Sequence, residues 1–272
     1  ASDFCSLMEL GTVLISGDSL SWEQFSSLGQ LLGLRIHQSS QFESRKKNQN
    51  HIQYGCRHRT RLVFRRDDIL SDLASTISAS FPQVIVLNRG AHYQNDTALI
   101  AGIQRNIAEL QGWKQKCTES GMKCHLFWRT SVPGHPLCDQ INFTQPNNDL
   151  AAMEAWINNR SNYNNRTISY HWYDYQRQNN LILEILRQGL GDDGFEILDA
   201  YYLNVLRPDE HRAHQGDCLH NCYPGKMDVY NQLLLHYLRV ERTQDDVDYL
   251  KRLNHVKALS GSVPVNSTKV LQ

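Results

Sequence analysis

Short apolar runs rich in β-branched residues recur along the chain, and most are followed by a segment whose apolar positions have helical spacing. Buried strands are predicted at residues 12–16, 61–64, 84–87, 125–128 and 195–198. Helices are predicted at residues 20–32, 67–77, 98–116, 150–157, 176–188 and 227–238. Strands that alternate with helices are typical of a parallel sheet covered on both faces. The pattern therefore predicts a three-layer α/β/α sandwich with a central parallel sheet.

The polar stretches between these elements predict loops rather than domain boundaries. Residues 38–52 are rich in Gln, Asn, Lys and Ser, and residues 131–148 contain three prolines, so neither predicts regular structure. No internal repeat or linker interrupts the pattern. We therefore expect one domain over residues 1–258 and a polar C-terminal tail over residues 259–272.

Composition and charge narrow the classes of partner. The 272 residues are 40% hydrophobic and 21% charged, which is typical of a globular protein, and 28 basic residues balance 28 acidic ones. The basic stretch at residues 57–66 is interleaved with apolar residues and predicts a strand, so we expect no nucleic-acid partner. No apolar run reaches the roughly 18 residues of a membrane span, so we expect no membrane contact within these residues. The chain starts at Ala1 without a signal peptide, as a trimmed lumenal or secreted domain does, and an N-terminal anchor ahead of it fits this expectation.

Sequons and cysteines indicate an oxidising, glycosylating compartment, either the Golgi lumen or the outside of the cell. Composition alone would give about two N-x-[ST] sequons, and the chain has five, at Asn95, Asn142, Asn159, Asn165 and Asn266.

The seven cysteines are Cys5, Cys56, Cys117, Cys124, Cys138, Cys218 and Cys222. Cys117 and Cys124 flank a short turn that a disulfide would bridge, and a bridge from Cys218 or Cys222 would immobilise the loop that contains His220. A structural zinc site is the alternative, but the chain has no CxxC pair.

The tetrapeptide Gly17-Asp18-Ser19-Leu20 lies where the first predicted strand turns into the first helix. A serine at the carboxyl end of a strand faces the crevice above a parallel sheet, and its N–H lies in the electropositive start of the helix. A serine nucleophile needs both this access to the crevice and this electropositive environment. The alternative is a helix N-cap formed by Asp18 or Ser19, and the two interpretations are compatible.

Asp217-Cys218-Leu219-His220 supplies the partners that a serine nucleophile needs. The base that removes the serine proton is normally histidine, and a carboxylate holds the imidazole in the working tautomer. One alternative is a structural histidine. Another is a metal site of His211, His214, Asp217 and His220. Because a Ser-His-Asp triad already accounts for Asp217 and His220, we expect Ser19, Asp217 and His220 to be catalytic and no metal to be bound.

The pairing of Gly-Asp-Ser near the start of the chain with Asp-x-x-His near its end resembles the SGNH, or GDSL, hydrolase superfamily. Residues 217–231 resemble the closing motif of the PC-esterase group, which includes the trichome-birefringence-like polysaccharide O-acetyltransferases of plants and the Cas1-type acyltransferases. Phe127-Trp-Arg-Thr130 with Pro133-Gly-His135 resembles an internal segment of the same group. The resemblance implies an α/β/α sandwich, a Ser-His-Asp mechanism, and transfer or removal of acetyl groups on sugar hydroxyls.

Two places depart from the plant pattern of this group. Plant members usually have Trp where this chain has Asn221, and Arg-Asn where it has Trp22 and Glu23. These departures bear on the donor, the acceptor and the plant-type assignment. They leave Ser19, Asp217 and His220 unchanged.

Further residues are candidates for the oxyanion hole and for substrate binding. The oxyanion of an acyl-transfer reaction needs hydrogen-bond donors, and the backbone N–H of Ser19 is one candidate. Asn88 follows a buried strand at the position where the superfamily has an amide donor, and it can equally be a turn residue; the backbone of Gly55 is a third candidate. Arg129 ends a buried strand and either contacts substrate or pairs with a carboxylate. Trp128, Trp172 and Tyr173 either stack on sugar rings or belong to the core.

The expected function is O-acetylation of a polysaccharide or glycan through an acetyl-serine intermediate. The same residues fit a carbohydrate O-acetylesterase, in which water replaces the acceptor sugar. A catalytically silent lumenal carbohydrate-binding protein is the alternative from another class, and the intact triad disfavours it. We expect a carbohydrate partner, no tightly bound cofactor, and an acetyl donor as co-substrate.

Overall fold

One sheet forms the centre of the protein in the computed structural model, which describes residues 11–33, 50–55, 60–141, 143–165, 167–212 and 216–240. The strands of this sheet are β1 (Gly11–Gly17), β2 (Asn50–Gly55), β3 (Thr60–Arg66), β4 (Val84–Leu87), β5 (His125–Arg129) and β6 (Glu196–Leu198). Their order is β2-β3-β1-β4-β5-β6. The edge strand β2 runs antiparallel to β3, and the other neighbours are parallel.

Helices follow most of the strands along the chain. They are α1 (Ser19–Leu31), α2 (Leu73–Ser80), α3 (Asp96–Glu119), α4 (Leu150–Asn158), α5 (Tyr175–Leu190) and α6 (Tyr201–Val205). A separate hairpin consists of β7 (His211–Arg212) and β8 (Asp217–Asn221). The chain divides into two compact units, Ala1–Gln232 and Leu233–Gln272. Residues 226–232 of the first unit are helical and are called α7; the described residues of the second unit, 233–240, are helical as well.

Helices cover both faces of the sheet. On one face, Leu14 of β1 and Val63 of β3 belong to a buried apolar cluster with residues of α2, α3 and α5. On the opposite face, Phe64 packs against Trp22 and Phe25 of α1, with ring centroids 5.0 Å and 5.7 Å apart. Successive residues of a strand point to opposite faces, so β3 contributes to both layers. This arrangement confirms the predicted α/β sandwich.

Two predicted elements differ from the structure for local reasons. The helix predicted over residues 67–77 begins later, because the Asp67 carboxylate accepts the N–H of Asp72 at 2.7 Å and holds the intervening residues in a turn. The loop predicted over residues 38–52 includes the start of β2, whose polar sequence lacks the apolar run of a central strand. The structure also contains the hairpin β7–β8, which the pattern of apolar residues does not predict.

The described residues contain two disulfides, Cys117–Cys124 and Cys138–Cys218. Cys222 is a free thiol, whereas Cys5 and Cys56 lie outside the described residues. The sequon residues Asn95, Asn159 and Asn165 are exposed, and Asn142 and Asn266 lie outside the described residues, as do the boundary and tail predicted near residue 258. In the described ranges, no helix is both long and apolar enough to span a bilayer.

Candidate active site

The first candidate residue, Ser19, lies at the start of α1, directly after the carboxyl end of β1. Asp18 is the N-cap of this helix, and its carboxylate accepts the N–H of Leu20 at 2.9 Å. Asp18 therefore performs the capping, which leaves the Ser19 hydroxyl available for another role. The turn requires a glycine at Gly17, because a Cβ there would lie 2.3 Å from Ser21 Oγ and 2.8 Å from the carbonyl oxygen of Asn88.

The hairpin brings Asp217 and His220 to Ser19 from 198 or more positions away in the chain. His220 Nε2 lies 2.8 Å from Ser19 Oγ, and His220 Nδ1 lies 2.8 Å from Asp217 Oδ2. The second oxygen of Asp217 accepts the backbone N–H of His220 at 3.0 Å and that of Leu219 at 3.2 Å. The carboxylate is thus fixed on its own strand, and the imidazole lies between an acceptor and a hydroxyl.

The charges around His220 favour its protonated form. Burial alone lowers the pKa of His220, but the hydrogen bond to Asp217 and the charges of Glu23 and Asp217 raise it, and the net result is a pKa above 6.5. Burial alone raises the pKa of Asp217, but the hydrogen bond and charge of His220 reverse this effect and leave it well below its usual range. Asp217 is therefore ionised at neutral pH, as the orienting carboxylate of a serine nucleophile must be.

A disulfide and hydrogen bonds of His135 hold the hairpin in place. Cys218, next to Asp217, forms a disulfide with Cys138, and the N–H of His135 donates to the carbonyl oxygen of Cys218 at 2.9 Å. The buried His135 ring also lies 2.6 Å from the His211 ring, Nδ1 to Nε2. Burial and the Lys226 charge lower the pKa of His135 to about 3, so this ring is neutral at neutral pH.

The alternative metal site is not assembled by its described members. His211 directs Nε2 to His135 and Nδ1 to the carbonyl oxygen of His220, at 2.6 Å and 3.2 Å, so neither nitrogen faces Asp217. His214 lies outside the described residues. Within the described part of the chain, no group of three or more His, Cys, Asp or Glu side chains is placed to hold a metal ion.

Asn88 has a different role from the predicted oxyanion donor. Its amide nitrogen donates to the carbonyl oxygen of Arg129 at 2.9 Å and to Ser131 Oγ at 3.2 Å. An amide nitrogen has two hydrogens, and both are used in these contacts. The side chain therefore ties the end of β4 to the end of β5 instead of pointing a donor at the Ser19 hydroxyl.

The roles predicted for Gly55 and Arg129 do not fit their positions in the structure either. Gly55 pairs with Thr60, which pairs with Gly11, so Gly55 lies at the end of the sheet opposite to the turn of Ser19. Arg129 is fully buried, and its guanidinium donates to Ser21 Oγ at 3.1 Å beneath the start of α1, so it cannot contact substrate.

The remaining oxyanion candidate and the aromatic residues have clear positions. The N–H of Ser19 is at the first position of α1, and among the described residues it has no hydrogen-bond acceptor, as expected there. It stays the one oxyanion candidate from the sequence that the geometry favours. Trp128 and Trp172 are buried in the core, which excludes them from stacking on sugar rings, whereas Tyr173 is partly exposed.

Sequence reasoning missed a buried link between α1 and the hairpin. Glu23 accepts hydrogen bonds from Asn221 and from Arg212, and all three side chains are close to the candidate triad. A signal was present in the sequence. Glu23 is four residues after Ser19, on the same face of the helix.

Part of the chain is similar to a known protein. The chain is 33% identical over 94 residues to Xyloglucan O-acetyltransferase 4 of Populus trichocarpa. This alignment covers 30% of the chain and 22% of the poplar protein, so it concerns a shared segment and not the whole of either protein. No family model matches the chain.

Proposed function

We propose that the protein is a serine-dependent carbohydrate O-acetyltransferase that moves an acetyl group from a donor ester to a sugar hydroxyl. The observation that carries this proposal is the hydrogen-bonded series Ser19, His220 and Asp217, in which both side-chain contacts of the imidazole are 2.8 Å long. The segment similar to a xyloglucan O-acetyltransferase supports the choice of acetyl group and carbohydrate.

The first half-reaction loads the serine. His220 Nε2 takes the proton of Ser19 Oγ as that oxygen attacks the carbonyl carbon of the donor ester, and Asp217 stabilises the resulting imidazolium. In this proposal the N–H of Ser19 donates to the oxyanion. When the ester bond breaks, the imidazolium gives its proton to the departing alcohol, and the acetyl group remains on Ser19.

The second half-reaction transfers the acetyl group from Ser19 to the sugar. A sugar hydroxyl attacks the acetyl-serine carbonyl while His220 takes its proton, and the proton then returns to Ser19 Oγ as the new ester leaves. The acetyl group is transferred without a change in oxidation state, so the reaction needs no oxidant or reductant. If water replaces the sugar, the same steps give an esterase.

We further propose that the protein works in the secretory pathway, in the Golgi lumen or outside the cell. Two disulfides and three exposed sequons among the described residues support this location, since disulfides persist in oxidising compartments.

The deciding experiment gives the purified protein a chromogenic acetyl ester, with and without a xyloglucan oligosaccharide, and follows the sugar by mass spectrometry. A sugar that gains acetyl mass establishes the transferase. Acetate release without sugar acetylation establishes the esterase. The absence of both reactions in protein that binds the oligosaccharide would contradict an enzymatic role and favour a carbohydrate-binding protein.

A further inference from the structure

The carboxylate of Glu23, a residue of the helix that begins at Ser19, is buried against the hairpin of His220. Only 3% of Glu23 is exposed. Its oxygens accept the Asn221 side-chain amide at 2.9 Å, the Asn221 backbone N–H at 3.2 Å and Arg212 Nη2 at 2.9 Å. Glu23 thus connects α1 with both strands of the hairpin.

The partners of Glu23 fit the ionised carboxylate. Each of its hydrogen-bond contacts comes from an N–H donor, and a protonated carboxyl would bring a hydrogen towards groups that cannot accept it. Burial raises the pKa of Glu23, and the charges of His220 and Arg212 and the hydrogen bonds of Asn221 offset only part of this effect, so the pKa stays above its usual value.

The charges around His220 indicate that the Glu23 carboxylate stabilises the protonated imidazole. The charged and titratable groups that act on His220 are Asp217 on its own strand, Glu23 on α1, and Arg212 and His211 on β7. With His211 neutral, two carboxylates and one guanidinium leave this group with one net negative charge in the resting state. The imidazolium that forms during acyl transfer neutralises it, and oriented charges of this kind stabilise a transition state.

The contact joins two distant parts of the chain. Glu23 and Asn221 are 198 positions apart, and their side chains meet at 2.9 Å.

We propose that Glu23 is a positioning residue for His220: its carboxylate fastens the hairpin of Asp217 and His220 to the helix of Ser19, and its negative charge stabilises the imidazolium. This inference rests on the proposed function for its catalytic meaning. Asn221 and Arg212 act as the two anchors of the link on the hairpin.

The test measures the imidazole of His220 directly by NMR titration of histidine-labelled protein, with its signal identified by its loss in His220→Gln. Glu23→Gln removes a negative charge and should lower the pKa of His220 by about one pH unit. Arg212→Gln removes a positive charge at the same link and should raise it. A link that only supports the hairpin would, when loosened, move the pKa in the same direction in both variants, and that result or an unchanged pKa in Glu23→Gln would overturn the inference.

A double variant that exchanges the carboxylate and the amide between positions 23 and 221 tests the inference if Glu23→Gln does not fold. Glu23→Gln combined with Asn221→Asp moves the carboxylate across the 2.9 Å contact and retains the pair. This double variant should fold and keep the pKa of His220 close to the wild-type value. A folded double variant in which that pKa falls by a full pH unit would count against the role of the negative charge.

Turnover provides a second, separable measurement. One pH unit in the pKa of His220 corresponds to tenfold weaker stabilisation of the imidazolium, so kcat of Glu23→Gln should fall by about tenfold while KM stays near the wild-type value. Equal kcat in both proteins would contradict the inference. If wild-type Ser19 neither reacts with a fluorophosphonate nor transfers acetyl groups, the proposed function fails, and the NMR comparison, which needs no turnover, still decides the effect of Glu23 on His220.

Discussion

Replacing Asp217 with asparagine should change which nitrogen of the His220 ring carries the proton, while the size of the side chain at position 217 stays the same. In the wild type, Asp217 Oδ2 accepts the Nδ1–H of His220 at 2.8 Å, so Nε2 is free to accept the proton of Ser19. The other oxygen accepts two backbone N–H groups, which asparagine can satisfy only with its carbonyl oxygen. The amide NH₂ is then directed at Nδ1, and the proton of the ring moves to Nε2.

This wrong tautomer cannot take a proton from Ser19, and the imidazolium loses its carboxylate. We expect kcat to fall by about 10⁴-fold, or about 5 kcal/mol in activation free energy, with a folded protein. Asp174→Asn is the matched control, because Asp174 has a similar side-chain exposure (23% against 30% for Asp217) and pairs with Arg177 instead of a histidine. Steady-state kinetics on an acetyl ester decide the matter: a loss of less than tenfold in Asp217→Asn would refute the assignment of Asp217.

Three further outcomes are expected. The rate on an acetyl ester should rise with pH through a midpoint above 6.5, because Asp217 and Glu23, against the lowering effect of burial, raise the pKa of His220; a midpoint below 6.5 would contradict this. Replacing both Cys138 and Cys218 by alanine should cost about 2–4 kcal/mol of unfolding free energy and reduce kcat, whereas removing the distant Cys117–Cys124 bridge should lower the melting temperature and leave kcat unchanged. Protein from a eukaryotic secretory host should carry glycans on some of the exposed sequons at Asn95, Asn159 and Asn165, and finding all five sequons bare would contradict the proposed location.

The central strands were predictable because their burial leaves a strong pattern. The run from Val84 to Leu87 is fully buried, and the structure gives β4 the predicted bounds. In α3, the buried positions Leu99, Ile103, Leu110 and Trp113 recur at helical spacing, so the helix was evident.

The elements that place His220 were harder to predict. The strands β7 and β8 are two and five residues long and contain polar and charged side chains, so their apolar pattern is weak. The edge strand β2 is equally polar. Gly55 was misplaced for that reason, since the direction of an edge strand is decided by pairing and not by local sequence.

Side-chain direction was the second obstacle. The sequence placed Asn88 and Arg129 correctly at the carboxyl ends of β4 and β5, but whether such side chains point into the crevice or into the protein depends on their partners. Asn88 Nδ2 bonds to the backbone of Arg129, and the Arg129 guanidinium bonds to Ser21. The contact between Glu23 and Asn221 joins positions far apart in the chain, and no spacing rule predicts it.

The most direct test of the proposed mechanism asks whether Ser19 carries the acetyl group. The protein is mixed with a chromogenic acetyl ester, quenched in acid within the first turnover, digested and examined by mass spectrometry. We predict an acetyl group on the peptide that contains Ser19, its disappearance when an acceptor oligosaccharide is added before the quench, and no acetylated peptide and no turnover in Ser19→Ala. A Ser19→Ala protein that consumes the ester or acetylates the sugar at the wild-type rate would contradict the mechanism.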